Sequence, residues 1–371
     1  SERVATLPVN AETKIKVAWV SFSVTDHSTM AYFQTLLQHF FRQPEIENAI
    51  FYVGPNADHV TQAMSAQADY FLHLDTTDLN RVKTLIAAWQ PHVLFYLDIG
   101  QEAFLYTLAH HRLAPIQAVS VGIPITTGIS TIDYYFSAKC FETSTSQAHY
   151  SEKLIAFDSP PWQVIVPTSN QKKTRKDFGL PEAGVLFLFP HTLFRFDPTL
   201  DEVCADILSR VENSYLVLIR YKQTHLHEAI KHRITARFPK LALQIIDLPW
   251  MSQSDFLSLL ELADVALDSL YLGGGLVSYQ CFAAGLPMLH RSTPEIRCRI
   301  AAGLYRQCHL EEWIAEDLPD YVQKGVQLGQ SASLRHALRT SLLEAIPTIF
   351  QEERGLYLLC EFIKQKVRNS L

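Results

Sequence analysis

The 371-residue chain is short of the marks that define several protein classes. Its six cysteines, Cys140, Cys204, Cys281, Cys298, Cys308 and Cys360, are scattered and form no C-x-x-C pair. That spacing speaks against a disulfide frame or a zinc site and predicts reduced thiols in a cytoplasmic protein. No apolar run reaches the ~18 residues of a spanning helix, so no transmembrane segment is expected. The N-terminus carries no basic-then-apolar signal pattern, and it opens on Ser1, which fits a trimmed chain with a missing upstream segment. Basic residues are not in excess: 32 Lys and Arg stand against 38 Asp and Glu, a net charge of −6. A nucleic-acid partner is therefore not expected. The sequence has no H-E-x-x-H, no G-x-S-x-G, no G-K-[ST] P-loop and no paired Cys/His set, so no metal centre is expected. It also lacks G-x-G-x-x-G, which argues against a simple NAD enzyme.

What remains is ordinary globular composition, 48% hydrophobic and 19% charged, in a chain long enough for two cores. Apolar runs alternate with amphipathic stretches. Strands are predicted at 16–22, 49–53, 70–74, 93–97, 115–122 and 132–136, with helices near 30–41, 59–68, 79–90 and 101–111. Residues 157–183 break the rhythm with Pro160, Pro161, Pro167, Pro181 and the charged run Lys172–Asp177, as an interdomain linker does. A second series follows, with strands at 185–189, 215–220, 243–247, 265–268 and 287–290 and helices near 199–212, 225–238, 252–263, 276–284 and 295–307. The tail from 318 to 368 reads as three helices. The expected class is α/β: two doubly wound domains, 1–165 and 166–371, with ligands at carboxyl ends of strands beside a cleft.

One stretch organises the second series. An apolar strand ends at Asp268. The triplet Gly273, Gly274 and Gly275 follows, then a helix-like run to Ala284 and a new strand. Such a loop at a helix N-terminus turns N–H groups outward and suits a phosphate, or simply makes a tight turn. Arg195, in the loop Pro190–Pro198, offers a cation for a pyrophosphate leaving group, or a salt bridge to Asp197. Thr192 shares that loop. Trp250 stands after the strand 243–247 and offers a face to a nucleobase or to packing. In the first domain His27 follows the first strand as a general base, a substrate contact or a helix cap. Asp98 is a base or an N-cap, and Thr126, Thr127 and Gly128 are loop or turn chemistry.

The segments Arg112–Val119 and Gly122–Gly128 resemble glycosyltransferase family 41, which holds O-linked N-acetylglucosamine transferases and bacterial cytoplasmic protein N-glucosyltransferases of adhesins. Colinear matches follow at Ile132–Tyr134, Tyr150–Leu154, Phe194–Pro198, Leu262–Asp268 and Ala284–Met288. Pro294-Glu295, Gly303–Arg306 and Glu312–Ile314 are most similar to the N-glucosyltransferase branch. The resemblance spans roughly 15–365. It implies a GT-B architecture of two Rossmann-like domains with a C-terminal helical tail, and an inverting, metal-independent hexosyltransferase. A UDP-sugar, UDP-glucose or UDP-N-acetylglucosamine, is the implied donor substrate, with no further cofactor, and a protein or peptide is the acceptor. Carried over by position, His27 falls at the active-site histidine and Arg195 where a lysine contacts the donor phosphates. Gly273, Gly274, Gly275, Leu276 and Val277 fall in the pyrophosphate loop, and Gln280 falls where an aspartate binds ribose. Thr192 and Trp250 complete the donor-contact set. Arg195, Gln280, Gly275, Leu276 and Val277 depart from the pattern, as do Ile123 and Gly128 where the N-glucosyltransferase branch has histidines. These departures set a second expectation beside the first: a binding or scaffolding subunit for a partner glycosyltransferase or an adhesin.

Overall fold

The computed structural model describes residues 13–76, 78–122, 124–165, 168–169, 172–220 and 224–370. The chain divides into two compact units, Ser1–Ile165 with Glu352–Leu371, and Val166–Gln351.

The first unit is built on seven strands: β1 (Ile15–Ser21), β2 (Ile46–Tyr52), β3 (Tyr70–His73), β4 (Val93–Tyr96), β5 (Ile116–Val119), β6 (Tyr134–Ala138) and β7 (Lys153–Phe157). Their order is β3-β2-β1-β4-β5-β6-β7, and every pairing is parallel. A parallel sheet is covered on both faces, so its central strands read as unbroken apolar runs. In β1 only Lys16 is less than fully buried. Trp19, with no exposure, packs edge-on to Phe40 at 4.9 Å, and its indole N–H donates to Asn48 Oδ1 at 3.1 Å. The sequence reading omits β7, because none of Lys153–Phe157 is fully buried and the strand lacks the longer apolar run of the central ones.

The second unit holds β8 (Val185–Phe189), β9 (Ser214–Ile219), β10 (Ile245–Leu248), β11 (Val265–Leu267), β12 (Met288–Arg291) and β13 (Ile314–Ala315) in the order β10-β9-β8-β11-β12-β13, again all parallel. The two-residue β13 is too short for a sequence signal. In both sheets the chain builds outward from its first strand, then returns to that strand's other side: β4 beside β1, β11 beside β8. These reversals are the topological switch points, and the loops leaving them form the natural ligand sites of such sheets. Among the described residues no helix is long and apolar enough to cross a membrane.

The tail departs from the sequence reading twice. It holds four helices, Leu318–Gln330, Ala332–Glu344, the short Ile346–Phe350 and Arg354–Ser370. And residues 352–371 belong to the first unit, where the reading assigned them to the second. The last helix inserts Leu356, Leu359, Ile363 and Val367 into buried positions. Phe362 stands edge-on to Tyr134 and Phe136, at 5.3 and 5.4 Å, and Lys364 pairs with Glu45. Gly355 marks a close approach: a Cβ there would lie 1.9 Å from the Pro160 carbonyl oxygen, a backbone atom with little room to yield. Gly355→Ala is expected to destabilise the first unit by about 3 kcal/mol, read as a lowered midpoint of its urea transition.

Candidate functional site

The second unit's switch point gathers the loop after β8 and the loop after β11. Asp268 follows β11 directly and is 1% exposed. Its Oδ1 accepts the backbone N–H groups of Ser269 and Gly274, both at 2.9 Å. His191, two residues past β8, brings Nε2 to 2.9 Å from the same oxygen, an ion-pair contact off the hydrogen-bond line. His290 on β12 sets Nδ1 2.7 Å from Oδ2. Burial alone would push the Asp268 carboxyl up. The hydrogen bonds and charge of the two imidazoles reverse this and hold it well below the usual carboxylate range.

The glycine triplet is shaped around this carboxylate. A Cβ at Gly273 would lie 3.1 Å from Asp268 Oδ2, and one at Gly274 2.7 Å from Ser278 Oγ and 2.8 Å from His191 Cε1. Gly275 then caps the helix Leu276–Ala283 with no side-chain cap bond, so the first N–H groups of that helix depend on other acceptors. Arg195 reaches the same loop. Its Nη1 donates to the carbonyls of Leu272 at 3.3 Å and Gly273 at 2.8 Å, while its own carbonyl accepts the Ser269 hydroxyl at 2.8 Å. Of the alternatives for Arg195, neither the salt bridge to Asp197 nor a fully solvated arginine is seen among the described residues, since Asp197 caps the helix Pro198–Arg210. A cation and a row of backbone donors thus lie together at the ends of adjacent strands, a combination suited to a diphosphate.

The other predicted donor contacts fall around this centre unevenly. Leu276 and Val277 are half-buried in the first turn of the helix, and Gln280 is buried one turn on. Thr192 is half-buried and precedes the short turn Leu193–Arg195. Trp250 is 54% exposed in the loop after β10, which β9 separates from β8. Sequence reasoning missed His191 and His290. The available signal was a histidine at the end of each strand flanking the one that ends in Asp268. Among the described residues no group of three His, Cys, Asp or Glu is arranged to hold a metal ion.

His27 belongs to the first unit, at its own switch point. It precedes the helix Ser28–Phe41, and its Nδ1 accepts Thr29 N–H at 3.3 Å. Burial lowers its pKa, so the ring is neutral at physiological pH with Nδ1 as acceptor. Asp98 lies beside this loop with no exposure. It caps no helix: Glu102 precedes the helix Ala103–Ala109, and Asp98 accepts the Ser21 hydroxyl at 3.0 Å and Phe22 N–H at 3.1 Å. Thr126 and Thr127 are turned onto the buried Glu152 carboxylate, which makes their loop structural in this arrangement. Ile123 lies outside the described residues. Each sheet therefore carries a buried aspartate that ties the loop of its first strand to the strand beside it.

Burial pushes the Asp98 carboxyl up to about 6, against the backbone hydrogen bond from Phe22. A group with a raised folded pKa stabilises the fold fully below its unfolded value, 3.8, and loses that contribution as pH rises to about 6. The stability of the first unit is expected to fall by about 3 kcal/mol across this window. Urea titrations at successive pH values check it, and Asp98→Asn is expected to remove the slope.

Comparison with known proteins bears on this geometry. The family model described as Glycosyl transferase family 41 matches residues 163–350, about half of the chain. The chain is 27% identical over 355 residues to a probable UDP-N-acetylglucosamine–peptide N-acetylglucosaminyltransferase SEC of Arabidopsis thaliana, covering 91% of this chain and 36% of that one. It is 23% identical over 312 residues to a UDP-glucose:protein N-beta-glucosyltransferase of Actinobacillus pleuropneumoniae, covering 79% and 48%. The chain spans a quarter to a half of the length of such relatives. In structure it is similar to an O-GlcNAc transferase mutant of Thermobaculum terrenum, with a TM-score of 0.83 at 19% identity over 99% of this chain and 70% of that one. It is also similar to a sucrose-phosphate synthase of Thermosynechococcus elongatus, with a TM-score of 0.63 at 10% identity over 96% and 100%. These likenesses establish the GT-B fold.

Proposed function

This chain belongs to glycosyltransferase family 41, and on that premise we propose that it moves a sugar from a UDP-sugar to a protein side chain. The observation that carries the reading is the meeting of Arg195 with the glycine loop at the β8–β11 switch point, 2.8 Å from Gly273 O. The acceptor attacks the anomeric carbon from the face opposite UDP, so the configuration inverts as the bond to the diphosphate breaks. Negative charge grows on the leaving diphosphate. Arg195 and the N–H groups at the head of the helix Leu276–Ala283 stabilise that charge without a metal. His27, a neutral imidazole on the first unit, keeps Nδ1 on Thr29 N–H and offers its Nε2–H to the acceptor, whose proton passes to solvent. Relatives named for UDP-N-acetylglucosamine and for UDP-glucose support either sugar as the donor.

Calorimetric titration of UDP into the purified chain, followed by a panel of UDP-sugars and intact-mass analysis of acceptor proteins, tests the reading. UDP is expected to bind, and one UDP-sugar to yield a mass increase on the acceptor. A folded chain that ignores millimolar UDP overturns it.

A further inference from the structure

Beneath the glycine loop lies a cluster to which the reaction above assigns no role. Three neighbouring strands each deliver one member: His191 just past the end of β8, Asp268 from β11 and His290 from β12. All three side chains are at most 1% exposed. They are 77 and 22 residues from Asp268 in sequence, so only the sheet order brings them together. An ionised carboxylate with no water needs a donor for each lone pair it presents. Asp268 has three, Ser269 N–H, Gly274 N–H and His290 Nδ1, with His191 Nε2 in ion-pair contact 2.9 Å from Oδ1. Both nitrogens of His191 and Nε2 of His290 are buried with no hydrogen-bond partner among the described residues, so Asp268 is the one charge His191 faces at contact distance. Each ring thus turns one nitrogen toward Asp268 and away from every other described polar group. His191 also packs against the loop, since its Cε1 occupies the space a Gly274 side chain would need.

We propose that His191 and His290 are positioning residues that grip Asp268 from two sides, turn its Oδ1 onto Gly274 N–H, and so set the glycine loop. That the loop then meets a diphosphate rests on the function proposed above. That the imidazoles set the loop does not. The arrangement spends one glycine N–H on Asp268 and thereby orients the following ones for a ligand.

The sequence supplies its own assay. Gly273-Gly274 and Gly274-Gly275 are the only consecutive glycines in the chain. With glycine isotope-labelled at both carbonyl carbon and amide nitrogen, a carbonyl-filtered amide spectrum of the full chain retains only Gly274 and Gly275. In the wild type one of these amides is expected to exchange slowly, as one bonded to a buried carboxylate does. His191→Leu and His290→Leu keep bulk and remove the donor. Each is expected to speed that exchange by about 10- to 100-fold and to weaken UDP binding similarly. His191→Gln carries an N–H near the imidazole Nε2, and His290→Asn one near Nδ1. Both are expected to restore the protection and the affinity to within about threefold, which a role in bulk packing alone would not produce. Unchanged exchange in a folded leucine variant overturns the inference, as does equal loss in the Gln and Asn variants. The two leucine variants act on different oxygens, so either one that folds decides the matter. Adding UDP to the same wild-type sample separates the two claims. If UDP moves no signal, the function reading fails while the exchange rates still decide the role of the histidines.

Discussion

Gly274→Ala is expected to abolish UDP binding while leaving both units folded. The added methyl would meet Ser278 Oγ at 2.7 Å, His191 Cε1 at 2.8 Å and Ser278 N at 3.2 Å. None of these atoms is the far end of a mobile side chain. The Ser278 hydroxyl is buried and donates to Gly274 O at 2.8 Å, Ser278 N is backbone, and His191 is packed against Asp268. The loop must therefore move, and moving it pulls Gly274 N–H from Asp268 and uncovers a buried carboxylate. Losing one hydrogen bond to a buried charge costs about 1.5–3 kcal/mol, and misaligned donors at the helix head add to that. Together they correspond to a loss of at least about 100-fold in UDP affinity. Calorimetry measures the affinity and thermal unfolding checks the fold. Affinity within about threefold of wild type would mean that the loop is not where UDP binds.

The reason this site is only half readable in sequence lies in how it is assembled. Asp268 and the triplet Gly273–Gly275 are local: a buried strand, an acid and three glycines in one stretch announce a strand-to-helix loop. Arg195 is 78 residues from Gly273, yet a guanidinium after a neighbouring apolar strand is still a recognisable signal for an anion. The signal of His191 and His290, a histidine in or beside each flanking strand, is weaker. A histidine beside an apolar strand reads as core or surface equally well, and only the order β8-β11-β12 makes both converge on Asp268. Asp98 shows the same limit: its place after β4 was legible, but its bonds to Ser21 and Phe22 depend on β1 lying beside β4. The fold was more legible because parallel strands are buried on both faces and so write themselves as apolar runs. The tail was misassigned for a related reason. An amphipathic helix such as Arg354–Ser370 declares that it has a buried face, but not which core covers it. Gly355 and the aromatic contacts of Phe362 make that choice, and both are fixed by tertiary structure.

Arg195→Ala is expected to lower sugar transfer by about 100- to 1000-fold, the range seen when one donor to a developing anion is removed. The guanidinium is docked on the loop it would share with the ligand, bonded to Leu272 O and Gly273 O. Such a cation needs little rearrangement when the diphosphate begins to carry charge, and that preorganisation is where its effect on rate resides. Its effect on ground-state binding is smaller, so UDP affinity is expected to fall by only about tenfold. The two carbonyls it leaves belong to half-buried Leu272 and buried Gly273, a local cost of about 1–3 kcal/mol that the fold is expected to survive. Arg195→Lys keeps the charge but not the planar fork, and a flexible ammonium holds the loop less firmly. Its transfer rate is expected between those of wild type and Arg195→Ala. Single-turnover transfer, with UDP calorimetry beside it, separates the effect on rate from the effect on binding. A chain that keeps this fold for binding alone would give the opposite result: no transfer in the wild type, and no consequence of the substitution beyond a weaker hold on UDP. Transfer that collapses with Arg195→Ala and returns in part with Arg195→Lys would instead assign the guanidinium its place on the leaving group.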